Sequence, residues 1–142
     1  MTTSVFKLCD FLRDFSGQES GDLSRLDAVI GQSVSVKPNE SLDAALFGIF
    51  ERFPEEDGHG VYWSIVHGLE RRGEYEQALL ASLRRAPSMF TLTMLNRLLN
   101  AGQSTCAGVP ALQLLEAAAV SPLACESARK AATRFLAHQA SR

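Results

Sequence analysis

Apolar residues recur at a spacing near 3.6 along almost the whole chain, while stretches of strict alternation are nearly absent, so the pattern predicts helices throughout. Ser4 is placed to cap a first helix carrying Val5, Phe6, Leu8, Cys9, Leu12 and Phe15, which ends near Gly17. Ser20 or Asp22 opens a second, with Leu23, Leu26, Val29 and Ile30, stopped by Gly31. The segment SVSVKPN alternates briefly, but Pro38 ends it, which predicts an extended connector. Asn39 or Ser41 starts a third helix with Leu42, Leu46, Ile49, Phe50 and Phe53 on one face, and Pro54 terminates it. PEEDGHG then reads as a loop. A fourth helix runs from about Val61 to Arg72 and breaks at Gly73, and Glu74 to Arg85 is a fifth. Pro87 suits the first turn of a sixth helix, and Gly102 the residue after its end. Gln103 to Gly108 predicts a flexible loop, Pro110 opens a seventh helix, and Ser121-Pro122 opens an eighth.

The expected fold is therefore all-α, a single domain over residues 1–142 built as a compact stack of about eight short antiparallel helices. Leu79, Leu80 and Pro87 recur as Leu114, Leu115 and Pro122 at a constant offset of 35 residues. A helix, a turn marked by Pro and a second helix is the unit of an α-solenoid, so a HEAT-like repeat is favoured over a four-helix bundle. The helices are too short for a long bundle.

The sixth helix is the most informative. Leu92, Met94, Leu95, Leu98 and Leu99 fill a broad apolar arc, while Thr93, Asn96, Arg97 and Asn100 fall at i, i+3, i+4 and i+7 on another face. A merely solvated face usually carries Lys, Glu and Gln. Asn and Thr are poorer helix formers, because their side chains compete for backbone hydrogen bonds. Their presence predicts specific hydrogen bonds, either to a neighbouring helix or to a partner.

Charge adds a second observation. The net charge is −2, but residues 1–57 carry 11 acidic and 5 basic side chains, net −6, and residues 58–142 carry 5 and 9, net +4. An acidic first part suits a basic protein partner and discourages nucleic acid there. Glu55, Glu56 and Asp57 stand in a row, followed by His59, and are the best candidates for such a contact, against a solvated loop or an Asp57 helix cap. At the N-terminus Asp10, Arg13 and Asp14 interrupt any signal-peptide core, and no segment reaches the 18 or so apolar residues of a membrane span. Cys9, Cys106 and Cys125, odd in number and widely spaced, read as reduced cysteines of a cytoplasmic protein.

No metal, phosphate-loop or nucleophile motif is present, so neither cofactor nor catalytic residue is expected. Trp63, His67 and Glu70 share one stripe of the fourth helix. They read first as a polar contact between helices, and otherwise as an acid–base pair in a cleft or part of a partner contact. Arg71-Arg72 and Arg84-Arg85 lie near helix C-termini, which attract cations anyway. The absence of interleaved aromatics and a pI near 5.9 argue against nucleic acid.

Between Trp63 and Gly102 the pattern W-S-I-V-H-G-L-E, then Y-E, then R-R-A-P-S-M-F-T-L-T-M-L-N-R-L-L-N-A-G resembles the immunity proteins of bacterial polymorphic toxin systems, of the contact-dependent growth inhibition and Rhs types. That resemblance implies a cytoplasmic, non-enzymatic protein, monomeric when free, that binds the C-terminal domain of one cognate toxin and occludes its active or substrate-binding site. Glu55, Glu56, Asp57, His59, Thr93, Asn96, Arg97 and Asn100 are the expected partner-binding residues. No nucleic-acid or membrane partner is expected. The alternative is a helical-repeat adaptor or chaperone for an endogenous protein or peptide.

Overall fold

The side chains of Ser4, Asn39 and Ser88 cap helix starts, and Gly73 and Gly102, both at positive φ, follow helix ends. The computed structural model describes residues 4–17 and 20–142. The chain is all-α, with eight α-helices and one two-stranded hairpin among the described residues. Its backbone divides into two compact units, Met1–Ala78 and Leu79–Arg142.

In the first unit, the Ser4 hydroxyl accepts from the Lys7 N–H at 3.3 Å to start α1 (Val5–Asp14). Helix α2 (Ser20–Ser33) runs through Gly31 rather than stopping there. It ends two residues later, where the Ser33 and Ser35 hydroxyls donate to the carbonyls of Val29 and Gly31 at 2.7 and 2.6 Å. The connector to α3 is turn and irregular backbone, not strand. Asn39 Oδ1 accepts from the Leu42 N–H at 2.9 Å and sets the first turn of α3 (Glu40–Arg52). Leu42, Asp43, Ala45, Leu46, Phe47, Ile49 and Phe50 are all buried, so α3 is covered on most sides, as a central helix must be. A 3-10 turn (Gly58–Gly60) precedes α4 (Tyr62–Arg72), which stops at Gly73 with φ 82°. Helices α1 and α3, α1 and α2, α2 and α4, and α3 and α4 lie against each other.

Two arginines hold this unit together. Arg52, at the end of α3, donates to the carbonyls of Leu12, Arg13 and Phe15 at 2.6, 2.9 and 2.9 Å. Those carbonyls are the unsatisfied C-terminal end of α1, where the helix dipole also favours a cation. Arg72, at the end of α4, makes a bidentate pair with Asp43 of α3 at 2.8 and 2.7 Å. That pair draws the Arg72 pKa upward, chiefly through the Asp43 hydrogen bonds and against the desolvation that lowers it.

The second unit takes in α5 (Glu76–Arg85) from Leu79 onward, then α6 (Met89–Asn100), α7 (Ala111–Ala119) and α8 (Glu126–Ala140). Helix α6 opens on a capping box in which Ser88 and Thr91 bond reciprocally at 3.2 and 3.0 Å. Pro87 consequently lies before the cap and not in the first helical turn. The helix closes as expected on Gly102, φ 88°, with the Gln103 N–H reaching the Leu98 carbonyl at 2.9 Å and the Gly102 N–H reaching Leu99 at 3.0 Å.

The segment expected to be a flexible loop is a tight hairpin. Strand β1 (Thr105–Cys106) pairs antiparallel with β2 (Val109–Pro110), and Ala107 and Gly108 turn between them at φ 50° and 84°. Two successive positive φ values are what a two-residue hairpin turn of matching twist requires. Helix α8 begins at Glu126, later than the Ser121-Pro122 signal. Ser121 Oγ instead accepts from the Leu123 N–H at 3.1 Å, so that signal caps a turn. The close helix pairings in this unit are α7 with α8, α6 with α8 and α6 with α7. Pro87 and Pro122 both stand in turns that lead into a helix, but the 35-residue offset does not mark two copies of one closely packed pair, and HEAT-like stacking is not established.

Candidate functional site

The acidic row between α3 and α4 is exposed and held in shape. Glu55, Glu56, Asp57 and His59 all face solvent. Asp57 Oδ1 accepts from the His59 N–H at 3.0 Å, and the Asp57 carbonyl accepts from the N–H groups of Gly60 and Tyr62 at 3.0 and 3.1 Å. Asp57 therefore caps the 3-10 turn, not α4 itself. Gly58 (φ 59°) sits against the Tyr62 ring: a Cβ there would meet ring atoms at 2.6 and 2.7 Å. Only glycine combines that backbone angle with that approach. His59 also holds a positive φ, 52°, a conformation few residues with a side chain adopt.

Tyr62 anchors the loop from beneath. Its side chain is fully buried and lies against Phe50 with ring centroids 6.5 Å apart. Burial pushes its phenol up to about 12, with Glu56 and Asp57 raising it further and Arg52 opposing them. Three carboxylates are thus presented on a backbone tied to the core.

One turn further on, Trp63 and His67 stack with centroids 6.1 Å apart and planes 27° from parallel. Trp63 and Glu70 are half-buried and His67 is exposed. The stripe expected from their spacing exists, and its aromatic pair lies at the surface beside the start of α4.

The polar stripe of α6 has a different role for three of its four members. Asn96 is buried and its Oδ1 accepts from Gln139 Nε2 of α8 at 2.7 Å. Asn100 Oδ1 accepts from the same Gln139 amide at 2.9 Å and from Arg142 at 2.5 Å. The Thr93 hydroxyl donates to the Met89 carbonyl at 2.7 Å within its own helix. Of the two destinations open to these side chains, the neighbouring helix takes Asn96 and Asn100. Arg97 is exposed. The stripe belongs to the second unit and the acidic loop to the first.

Sequence reading did not single out Asp43 or Arg52. An Asp at the fourth position of a helix looks like first-turn charge, and only the 29-residue separation from Arg72 closed by folding reveals the pair. Arg72, read with Arg71 as a basic doublet, is used internally, while Arg71 and Arg84 are exposed. Among the described residues no cluster of three His, Cys, Asp or Glu side chains is placed to hold a metal ion. Cys9 and Cys106 are buried thiols and Cys125 is half-buried. Among the described residues no helix is long and apolar enough to cross a membrane.

The division into units sharpens the charge asymmetry. Residues 1–78 carry 14 acidic and 7 basic side chains, net −7, and residues 79–142 carry 2 and 7, net +5. No family model, no curated protein and no solved structure matches the chain.

Proposed function

We propose that this protein is a cytoplasmic immunity protein, one that binds the C-terminal domain of a single cognate toxin and blocks its active or substrate-binding site without chemistry of its own. The observation that carries this reading is the acidic loop: Glu55, Glu56 and Asp57 exposed on a backbone fixed by the Asp57 cap and the Gly58–Tyr62 contact. A loop ordered before binding loses less freedom on binding. Its charge complements the basic clefts that toxins acting on nucleic acid need for their substrates. Trp63, beside the loop and half-buried, supplies the large aromatic area typical of an interface anchor. The resemblance of Trp63–Gly102 to immunity proteins supports the same reading.

The test is co-expression with the toxin domain encoded beside this chain, followed by affinity capture and association kinetics at low and high salt. Charge complementarity of this kind lifts association from about 10⁵–10⁶ toward 10⁸ M⁻¹s⁻¹ at low salt. Glu55→Lys with Glu56→Lys slows association and flattens its salt dependence, with little change in dissociation. Asp57 is left in place because its carboxylate caps the turn. Capture of several weak endogenous partners and no toxin would favour an adaptor instead.

A further inference from the structure

We propose that a second face, formed by the end of α7, the turn after it and the outer stripe of α8, docks an acidic amphipathic segment of a protein partner. It goes beyond the acidic loop and does not depend on it. Val120 and Leu123, three residues apart in the link between α7 and α8, are 80% and 60% exposed. Next to them a shallow, open depression of about 490 Å³ is lined by Ala119, Glu126, Arg129, Lys130, Thr133 and Arg134. Glu126, Lys130 and Arg134 follow one another at four-residue steps, so they form a single row along α8.

The turn that displays the aliphatic pair is fixed. Arg129 donates to the carbonyls of Ala124 and Ser121, and the Leu123 N–H is held by Ser121 Oγ. Lys130 meets Glu126 at 3.2 Å, but both side chains are about three-quarters exposed, so the pair is worth little and Lys130 is available for exchange. The surrounding unit has only Glu116 and Glu126 against seven arginines and lysines.

Charge and apolarity together select the occupant. Carboxylates meet Lys130 and Arg134, while an apolar side chain one helical turn away covers Val120 and Leu123. A nucleic acid would use the cations but not the aliphatic pair. Nor does α8 offer a stacking platform, because the Arg134 guanidinium lies 5.3 Å over the Phe135 ring.

The experiment uses the full chain and a fluorescent helical peptide of about 18 residues, long enough for five turns, with Glu and Leu on adjoining faces. Titrations are run against the wild type, Lys130→Glu with Arg134→Glu, and Val120→Ser with Leu123→Ser, each checked for native circular dichroism. All four positions are surface sites, and the folds are expected intact. The peptide binds the wild type at low salt, and each variant pair weakens it at least ~10-fold, equivalent to about 1.4 kcal/mol. A Glu/Ser peptide loses affinity to the same degree. Absence of binding at ~1 mM peptide, or equal binding by wild type and variants, overturns the proposal. An oligothymidine that displaces the peptide and ignores Val120→Ser with Leu123→Ser assigns the face to a polyanion and overturns it too. Light scattering that shows a dimer lost with Lys130→Glu and Arg134→Glu would give the face to a second copy, and would likewise overturn it.

Discussion

Asp43→Asn isolates the buried ion pair between α3 and α4. The Asp43 side chain is 5% exposed and that of Arg72 is 9%, and the contact is bidentate at 2.8 and 2.7 Å. The substitution keeps the shape and one acceptor oxygen but leaves a largely buried cation with neutral acceptors only, among them the Gly73 and Glu74 carbonyls. Breaking a buried pair by removing one partner costs roughly 3–5 kcal/mol, and the acceptor retained by Asn places this variant near 3. Domain stabilities are about 5–15 kcal/mol, so the loss is a large share of the whole. Asp43→Leu with Arg72→Met removes both charges and replaces them by apolar groups, which is often neutral or stabilising by about 1–4 kcal/mol. The double variant should therefore be more stable than either Asp43→Leu or Arg72→Met alone, and these two singles complete its cycle with the wild type. Urea melts followed by circular dichroism measure all of these proteins, and the coupling in the cycle should exceed about 1.5 kcal/mol. Single losses below about 1 kcal/mol that simply add would mean that the pair is screened like an exposed one, and would refute the reasoning.

Leu95→Ala, at a site with 0% exposure, should cost about 2–5 kcal/mol. Leu99→Ala, at a half-buried site, should cost measurably less; equal losses in denaturant melts would show that the α6 arc is centred elsewhere. Tyr62 should ionise at about 12 in an alkaline absorbance titration, with Glu56→Gln bringing it down. Its folded pKa lies above the ordinary tyrosine value, so the unfolded chain loses its proton first; stability is full below about pH 10 and declines as pH rises toward 12. A Tyr62 that titrates like an exposed tyrosine would contradict its burial. Gly58→Ala should destabilise the loop by about 1 kcal/mol or more, since it strains φ 59° and collides with Tyr62, and a crystal structure of that variant should show His59 and Asp57 displaced.

Much of the fold was legible because it rests on local signals. Ser4 and Asn39 stand where caps were needed, and Gly73 and Gly102 mark ends that require positive φ. The misreadings arise where one residue type serves two purposes. Gly31 resembles a stop, but its φ is ordinary and no neighbour lies within 4 Å of its missing Cβ, so the helix passes through it. Ala107-Gly108 resembles a flexible loop because a turn of two residues has no periodicity to detect. In the candidate sites, composition located the acidic loop but not its rigidity, which comes from Tyr62 after the loop and Gly58 within it. The Asn-rich stripe gave the correct inference of specific hydrogen bonds. It could not tell α8 from a partner, because Gln139 lies 43 residues beyond Asn96. Ion pairs such as Asp43–Arg72 leave no trace in sequence spacing.

The most direct test of the proposed function is growth of a bacterium that expresses the proposed cognate toxin domain, with and without this protein, alongside capture of the two chains from the same cells. The account predicts that growth is restored, that the pair co-purifies at equal stoichiometry, and that Glu55→Lys with Glu56→Lys slows complex formation without unfolding the protein. Unrelieved toxicity with no complex, from a protein that is folded and abundant in the cell, would contradict it.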